Sequence, residues 1–380
     1  VEQFFAPCPR GLEGVLEDEL AQLGAADITL TEGGVGFRGD YSFCYKANLE
    51  SRVASRVLWR IGSGEYKDER DIFEIGYAIK WTHWFDPSCT IRVDVSALNC
   101  PLKSLDFVTL KVKDAICDKF RAASGKRPDV DTKHPDIRIH AHLDPALVTF
   151  YLDTSGEPLF KRGWRVAAGE APLRENLAAG ILRLSGWKPG TPFLDPMCGS
   201  ATFLIETAQI ALGIAPGLNR GFAFERFRNL DRAAWNEIRE QSFARQQAKQ
   251  ALPIFGSDLY GRALKNAREN LVRSGLEECV TLKQANALEI SPPAEKGVMV
   301  TNPPYGVRAG ELDELASFYP KFGNVLKQRF AGWRAYLFTA DLRLPKLIGL
   351  AASRRIPLYN GALECRLYEY KLVKGSNRRG

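Results

Sequence analysis

Leu12, Val15, Leu16, Leu20 and Leu23 recur at helical spacing, which predicts an amphipathic helix from Gly11 to Leu23 with the acidic run at 17–19 turned to solvent. A strand at Gly34–Arg38 and a second helix from Asp40 to Arg52 follow. The pattern then switches to period two at Thr90–Val95, Asp136–His142 and Val148–Leu152, with a helical stretch from Ser104 to Ala122 between the first two. Strands mixed with helices in this way predict a small α+β unit. From Leu173 onward short apolar runs alternate with helical segments. Strands are expected at Pro192–Asp195, Pro253–Ser257, Val280–Gln284, Gly297–Thr301 and Arg334–Phe338. That alternation predicts an α/β, doubly wound parallel sheet. Arg354–Tyr359 and Leu363–Lys374 around Asn360-Gly361 read as a hairpin closing its edge. The glycine- and proline-bearing stretch 155–172 reads as a crossing between the two parts.

Composition adds little to the fold but restricts the class. The 380 residues are 45% hydrophobic and 26% charged, an ordinary mix for a chain of two or three domains. No apolar run is long enough to suggest a membrane span, and the first residues lack the basic-then-apolar order of a secretory signal. The eight cysteines contain no C-x-x-C pair, so neither a zinc site nor a disulfide framework is expected, and reduced thiols in a cytoplasmic protein are. The net charge of +7 is uneven: residues 1–165 carry −3 and residues 166–380 carry +10, a balance that suits a polyanionic partner.

The candidate chemistry lies at strand ends. After the strand ending at Asp195 come Pro196, Met197, Cys198, Gly199, Ser200 and Thr202, then a helix from Leu204 to Leu212. Neither G-x-G-x-x-G nor a Walker loop is present, so a phosphate is not the obvious guest. Asp195 is a candidate acceptor for a ligand ammonium group. Asp258, at the next strand's tip and followed by Leu259, is placed to take a ribose diol. Asn286 and Ala287, after the third strand, suit an adenine edge. Asn302, Pro303, Pro304 and Tyr305 follow the fourth. The Asn302 side-chain oxygen and the Pro303 carbonyl could hold both N–H groups of an exocyclic amine and favour the pyramidal nitrogen formed as an electrophile arrives. The prolines stiffen these acceptors and Tyr305 offers a stacking face. The chemistry indicated is methyl transfer from S-adenosylmethionine to an exposed or flipped base.

Several basic residues are candidates for RNA contact: Lys111 and Lys113 on the helix at 104–122, and Arg226 and Arg228 in a basic stretch at 221–249 interleaved with Phe222, Phe224 and Phe227. For that stretch a solvated helix with a buried aromatic edge is the competing reading. His140 and His142 share a strand face, but no third metal ligand lies near them in sequence, and no metal is expected.

D-P-M-C-G-S at 195–200 and T-N-P-P-Y-G at 301–306 resemble the THUMP-domain RNA guanine-N2 methyltransferases, particularly the bacterial members that modify 23S rRNA. Matching stretches include P-R-G-L-E at 9–13, G-G-V-G-F at 33–37, L-K-V-K-D-A-I at 110–116, P-D-I-R-I at 135–139, L-S-G-W-K-P-G-T-P at 184–192 and A-P-G-L at 215–218. The resemblance implies a ferredoxin-like region at 1–57, a THUMP RNA-binding domain at 58–154, a linker at 155–172 and a class I, Rossmann-like methyltransferase sheet at 173–380. It implies guanine N2 as the acceptor and 23S rRNA or a large-subunit precursor as the partner. Ala201 stands where the family usually has a second glycine, and Asn286 where it usually has an acidic residue. Some members carry a second methyltransferase domain, and with the sequence ending at Gly380 no second activity is expected. Rival readings are a DNA adenine-N6 methyltransferase, a protein glutamine methylase using the same loop chemistry, and a non-catalytic RNA-binding assembly factor.

Overall fold

The computed structural model describes residues 1–166, 173–304 and 311–374. The first part begins with β1 (Glu2–Pro7), α1 (Glu13–Leu23), β2 (Ala26–Thr31), β3 (Gly34–Gly39) and α2 (Phe43–Glu50). It continues through β4 (Leu58–Glu65), α3 (Glu69–Ala78), β5 (Ile91–Ala97), α4 (Leu105–Ser124), β6 (Ile137–Leu143) and β7 (Leu147–Asp153). Helix ends follow local chemistry. Ser104 Oγ accepts from Phe107 N to start α4, and glycines in left-handed conformation, Gly24 and Gly125, end α1 and α4.

These seven strands form one sheet in the order β2-β3-β1-β4-β7-β6-β5. The regions 1–57 and 58–154 are therefore joined by backbone pairing: β1 and β4 are antiparallel neighbours, with Phe4 opposite Trp59 and Phe5 opposite Leu58. One expectation fails here. Glu19 does not face solvent with Glu17 and Asp18 but is buried, where Oε1 accepts from Arg52 N at 3.0 Å and Val53 N at 3.2 Å. Its other oxygen pairs with Arg183 at 3.3 Å. A buried carboxylate is tolerated because these donors replace its water.

The second part contains α5 (Glu175–Ser185), β8 (Phe193–Asp195), α6 (Thr202–Ala211), α7 (Arg232–Ala244), β9 (Ile254–Asp258), α8 (Gly261–Ser274), β10 (Thr281–Gln284), β11 (Gly297–Thr301), α9 (Glu311–Arg329), β12 (Trp333–Thr339), α10 (Leu344–Leu347), β13 (Arg354–Asn360) and β14 (Leu363–Lys371). Its sheet runs β10-β9-β8-β11-β12-β14-β13. The first five are parallel, and β14 is antiparallel to both neighbours, so the expected hairpin does close the edge. Strand order reverses between β8 and β11, the switch point where open α/β sheets leave a crevice at their carboxyl ends.

The two parts share one hydrophobic core. A continuous cluster runs from Phe4, Leu12 and Tyr45 to Ile181, Phe203 and Leu264, while Met299, Phe322 and Trp333 belong to a second cluster. Residues 155–166 cross between the parts without being a loose tether. Leu159 and Trp164 are buried, and Arg162 Nε meets the buried Glu206 of α6 at 3.2 Å. Arg52 reaches the same carboxylate at 3.3 Å.

Candidate active site

At the switch point, β8 delivers Asp195 and β11 delivers Thr301 and Asn302 side by side. Thr301 Oγ1 donates to Asp195 Oδ1 at 2.8 Å, which also accepts from Met197 N at 3.2 Å. Burial pushes the Asp195 carboxyl up to about 7, with the nearby Asp258 charge adding to the shift. The loop then turns through two left-handed residues, Gly199 at φ +51° and Ala201 at φ +67°. A Cβ on Gly199 would meet nothing within 4 Å, so the space over this loop is open. Ala201 is fully buried in a conformation that costs a side-chain-bearing residue about 1 kcal/mol and that a glycine would adopt without that cost.

Asp258, at the end of β9, faces the same loop. Its Oδ2 accepts from Gly199 N at 3.0 Å and its Oδ1 from Tyr260 N at 3.0 Å. Each oxygen keeps a lone pair for a further donor. Leu259 beside it is half exposed, at 51%. Cys198 is packed beneath the loop, its N–H bonded to Ser257 O, and burial holds its thiol well above the ordinary value. It is therefore a neutral packing group and no nucleophile. The Asn286 Oδ1 is turned onto Leu288 N at 3.0 Å, capping its own turn, and Ala287 is buried beside it.

Asn302 differs from its neighbours. Its Oδ1 is buried and has no hydrogen-bond partner among the described residues. Pro303 is buried and Pro304 exposed, while Tyr305 lies outside the described residues. An unpartnered buried acceptor is costly, and at the switch point of an open α/β sheet it is a candidate acceptor for a ligand donor.

Three bracing residues were not singled out from sequence. Arg165 donates to Ser200 Oγ at 3.1 Å and Thr202 Oγ1 at 3.0 Å while its Nε pairs with Glu175 at 2.8 Å. Asn270, buried on α8, donates to Ser200 O at 3.0 Å. Thr301 fixes Asp195. Only Thr301 had a signal, being the residue before Asn302 on an apolar strand.

The candidate RNA contacts do not gather in one place. Arg226 pairs with Asp136, and Arg228 pairs with Asp86 at 2.7 Å, so both tie the second part to the first. Phe222, Phe224 and Phe227 are buried, as the competing reading of that stretch has it; Phe224 packs on Tyr45 with ring centroids 4.6 Å apart. Lys113 pairs with Asp114 at 2.7 Å, and the Lys111 ammonium lies over Phe107 at 5.2 Å on α4. His142 Nδ1 lies 2.9 Å from Ser96 Oγ and His140 Nε2 lies 3.8 Å from Asp153. Among the described residues no cluster could hold a metal ion, and no helix is long and apolar enough to cross a membrane.

Comparison with known proteins adds three family matches: an RMKL-like methyltransferase domain over residues 162–369, an RlmL ferredoxin-like domain over 3–58, and a THUMP domain over 66–153. The chain is 39% identical to the ribosomal RNA large subunit methyltransferase K/L of Photobacterium profundum over 99% of its own length and 54% of that protein. It thus spans about half the length of the curated relatives it matches. Among solved structures, a SAH complex of a protein assigned as a methyltransferase superposes with a TM-score of 0.89 at 32% identity, covering 99% of both chains. A Listeria monocytogenes protein described as a predicted N6-adenine-specific DNA methylase superposes at 0.88 with 31% identity, covering 98% of this chain and 96% of that one.

Proposed function

The chain belongs to the RMKL-like methyltransferase-domain family, and from that premise we propose that it is an S-adenosylmethionine-dependent methyltransferase acting on the exocyclic N2 of a guanine in 23S rRNA, either free or in a large-subunit precursor. The observation that carries this reading is the buried, unpartnered Asn302 Oδ1 at the β8–β11 switch point. The THUMP match and the names of the rRNA-modifying relatives support RNA over DNA, and an rRNA substrate puts the reaction in the cytoplasm.

The residues present fit the cofactor. The open space over Gly199 admits a ligand that a Cβ would obstruct. Asp258 offers one free lone pair on each oxygen to a ribose diol. Asp195, once ionised, can answer an ammonium group. Leu259 and Ala287 supply apolar surface to an adenine ring, with Asn286 at its edge. When bound, the cofactor supplies an electrophilic methyl group.

The protein's own part is to hold the amine. Guanine N2 is a weak nucleophile because its lone pair is delocalised into the ring. Asn302 Oδ1 and the Pro303 carbonyl accept its two N–H bonds, which favours the pyramidal nitrogen and the positive charge it develops. The stiff Pro303-Pro304 segment spares these acceptors reorganisation. Tyr305 is proposed to stack on the base.

Methyl transfer to unmodified rRNA transcripts tests the reading. Asn302→Ala is expected to lower kcat by about 100-fold or more while cofactor affinity stays within about two-fold. Label recovered in methyladenine, or transfer to duplex DNA, would overturn the guanine assignment.

A further inference from the structure

The P-R-G-L-E run at 9–13 has no part in the chemistry above, and packing accounts for much of it. Gly11 has φ +92°, and a Cβ there would sit 2.5 Å from the Pro357 carbonyl oxygen, so this turn lies directly on β13. Leu12 is fully buried against Gly180 of α5. The Glu13 carboxylate accepts from Gly11 N at 2.8 Å and Gly33 N at 2.9 Å. Arg10 is left over. Its guanidinium lies 4.8 Å from the centroid of the Tyr359 ring, with a surface ion pair to Glu32.

Arg10 lines a cavity of about 230 Å³ together with Ser55, Arg174, Tyr359 and Asn360. No carboxylate is among the described residues that line it. Arg174 is held over the Phe160 ring at 4.9 Å, and its N–H groups have no hydrogen-bond or ion-pair partner among the described residues. Two guanidinium groups, each fixed over an aromatic ring around a polar hollow, form a site for an anion with several acceptor oxygens.

The cavity's place in the sheet suggests which anion. Asn360 and Gly361 turn β13 into β14, and Thr339, the last residue of β12, pairs with Arg366 rather than with Leu363. The turn therefore stands beyond the carboxyl ends of the parallel strands, the end at which Asn302 lies. From β11 through β12 and β14 to β13 is three strand spacings, roughly 14 Å.

We infer that this cavity holds a backbone phosphate of the substrate RNA, a short stretch of nucleotides away from the base at Asn302. The inference rests on the RNA reading given above and adds to it a grip made by the N-terminal region and the β13–β14 turn together.

Arg174→Gln tests it, because among the described residues that side chain has only its ring contact to lose. Binding of in vitro transcribed, unmodified 23S rRNA would be measured by filter retention across a salt series, with the melting temperature and S-adenosylmethionine affinity recorded in parallel. The expected result is a loss of roughly ten-fold in RNA affinity and a log–log salt slope lower by about one, and by about two in the variant that adds Arg10→Gln. Arg174→Lys keeps the charge and should retain the slope while losing part of the affinity. An unchanged slope in Arg174→Gln at an unchanged melting temperature overturns the inference. So does protection of the cavity by inorganic phosphate alone with RNA binding unaffected, which would mark a site for a free anion. Absent guanine methylation with a lowered slope would instead remove the proposed reaction and leave the phosphate site standing.

Discussion

A carboxyl group sealed at the end of a parallel strand, as Asp195 is, keeps its proton up to about pH 7, because burial removes the water that would stabilise the anion and Asp258 adds a second negative charge. The unfolded chain releases that proton near the ordinary value of 3.8. The folded state binds more protons between these limits, so the stability Asp195 contributes is full below 3.8 and is lost as pH rises through about 7. The ligand-free protein should therefore lose melting temperature relative to Asp195→Asn across that window, as calorimetry at a series of pH values would read. A constant gap between the two would refute the assignment. Asp195, Asp258 and Asn302 were legible because each ends a short apolar strand. Arg165 and Asn270 were not, because they reach the Ser200 loop only when the crossing strap, residues 155–166, and α8 lie against it.

Elements were legible where one face is buried and the other wet. β6 alternates buried and half-buried residues along its whole length, and its pattern is plain in the sequence. Nine of the eleven residues of α5 are buried, so no polar stripe announces it. The edge strand β2 is almost wholly exposed and carries no apolar face to recognise. Partners distant in sequence were illegible for the same reason that Glu19 was misread: nothing local says that a carboxylate will be buried with donors from residues 51–53. Glu206 on α6 is the most consequential case. It sits fully buried between Arg52 and Arg162, from the N-terminal region and the crossing strap. Glu206→Gln would leave two arginines without their counter-charge, and a loss of about 3–5 kcal/mol in denaturant unfolding is expected. Because α6 starts where the Asp195–Ala201 loop ends, the variant should also weaken cofactor binding.

At the scale of the molecule, the division into regions read from sequence is one of pattern rather than of independent bodies. The N-terminal strands share a sheet, and α1, α2 and the strap share a core with α5, α6 and α7. Removing residues 1–172 would uncover Leu177, Phe224 and Trp235 among others, each contributing about 1.5–3 kcal/mol when buried. The fragment 173–380 should then melt roughly 10 °C or more below the full chain and bind a hydrophobic dye. A fragment equal in stability would show that the shared core matters little. The charge imbalance also changes meaning, since Arg226 and Arg228, part of the basic half's surplus, are spent on acidic groups of the other half.

The backbone join between β1 and β4 has one more consequence. Because the strands of the first part pair in one sheet and share a core with the second sheet, the offset between any grip on the first part and Asn302 is set by the protein. On the proposed reading such a frame works as a caliper. It would choose its guanine by how far that nucleotide stands from a gripped feature of the RNA, and inserting or deleting a nucleotide between the two would move the methyl group to a neighbour or prevent its transfer.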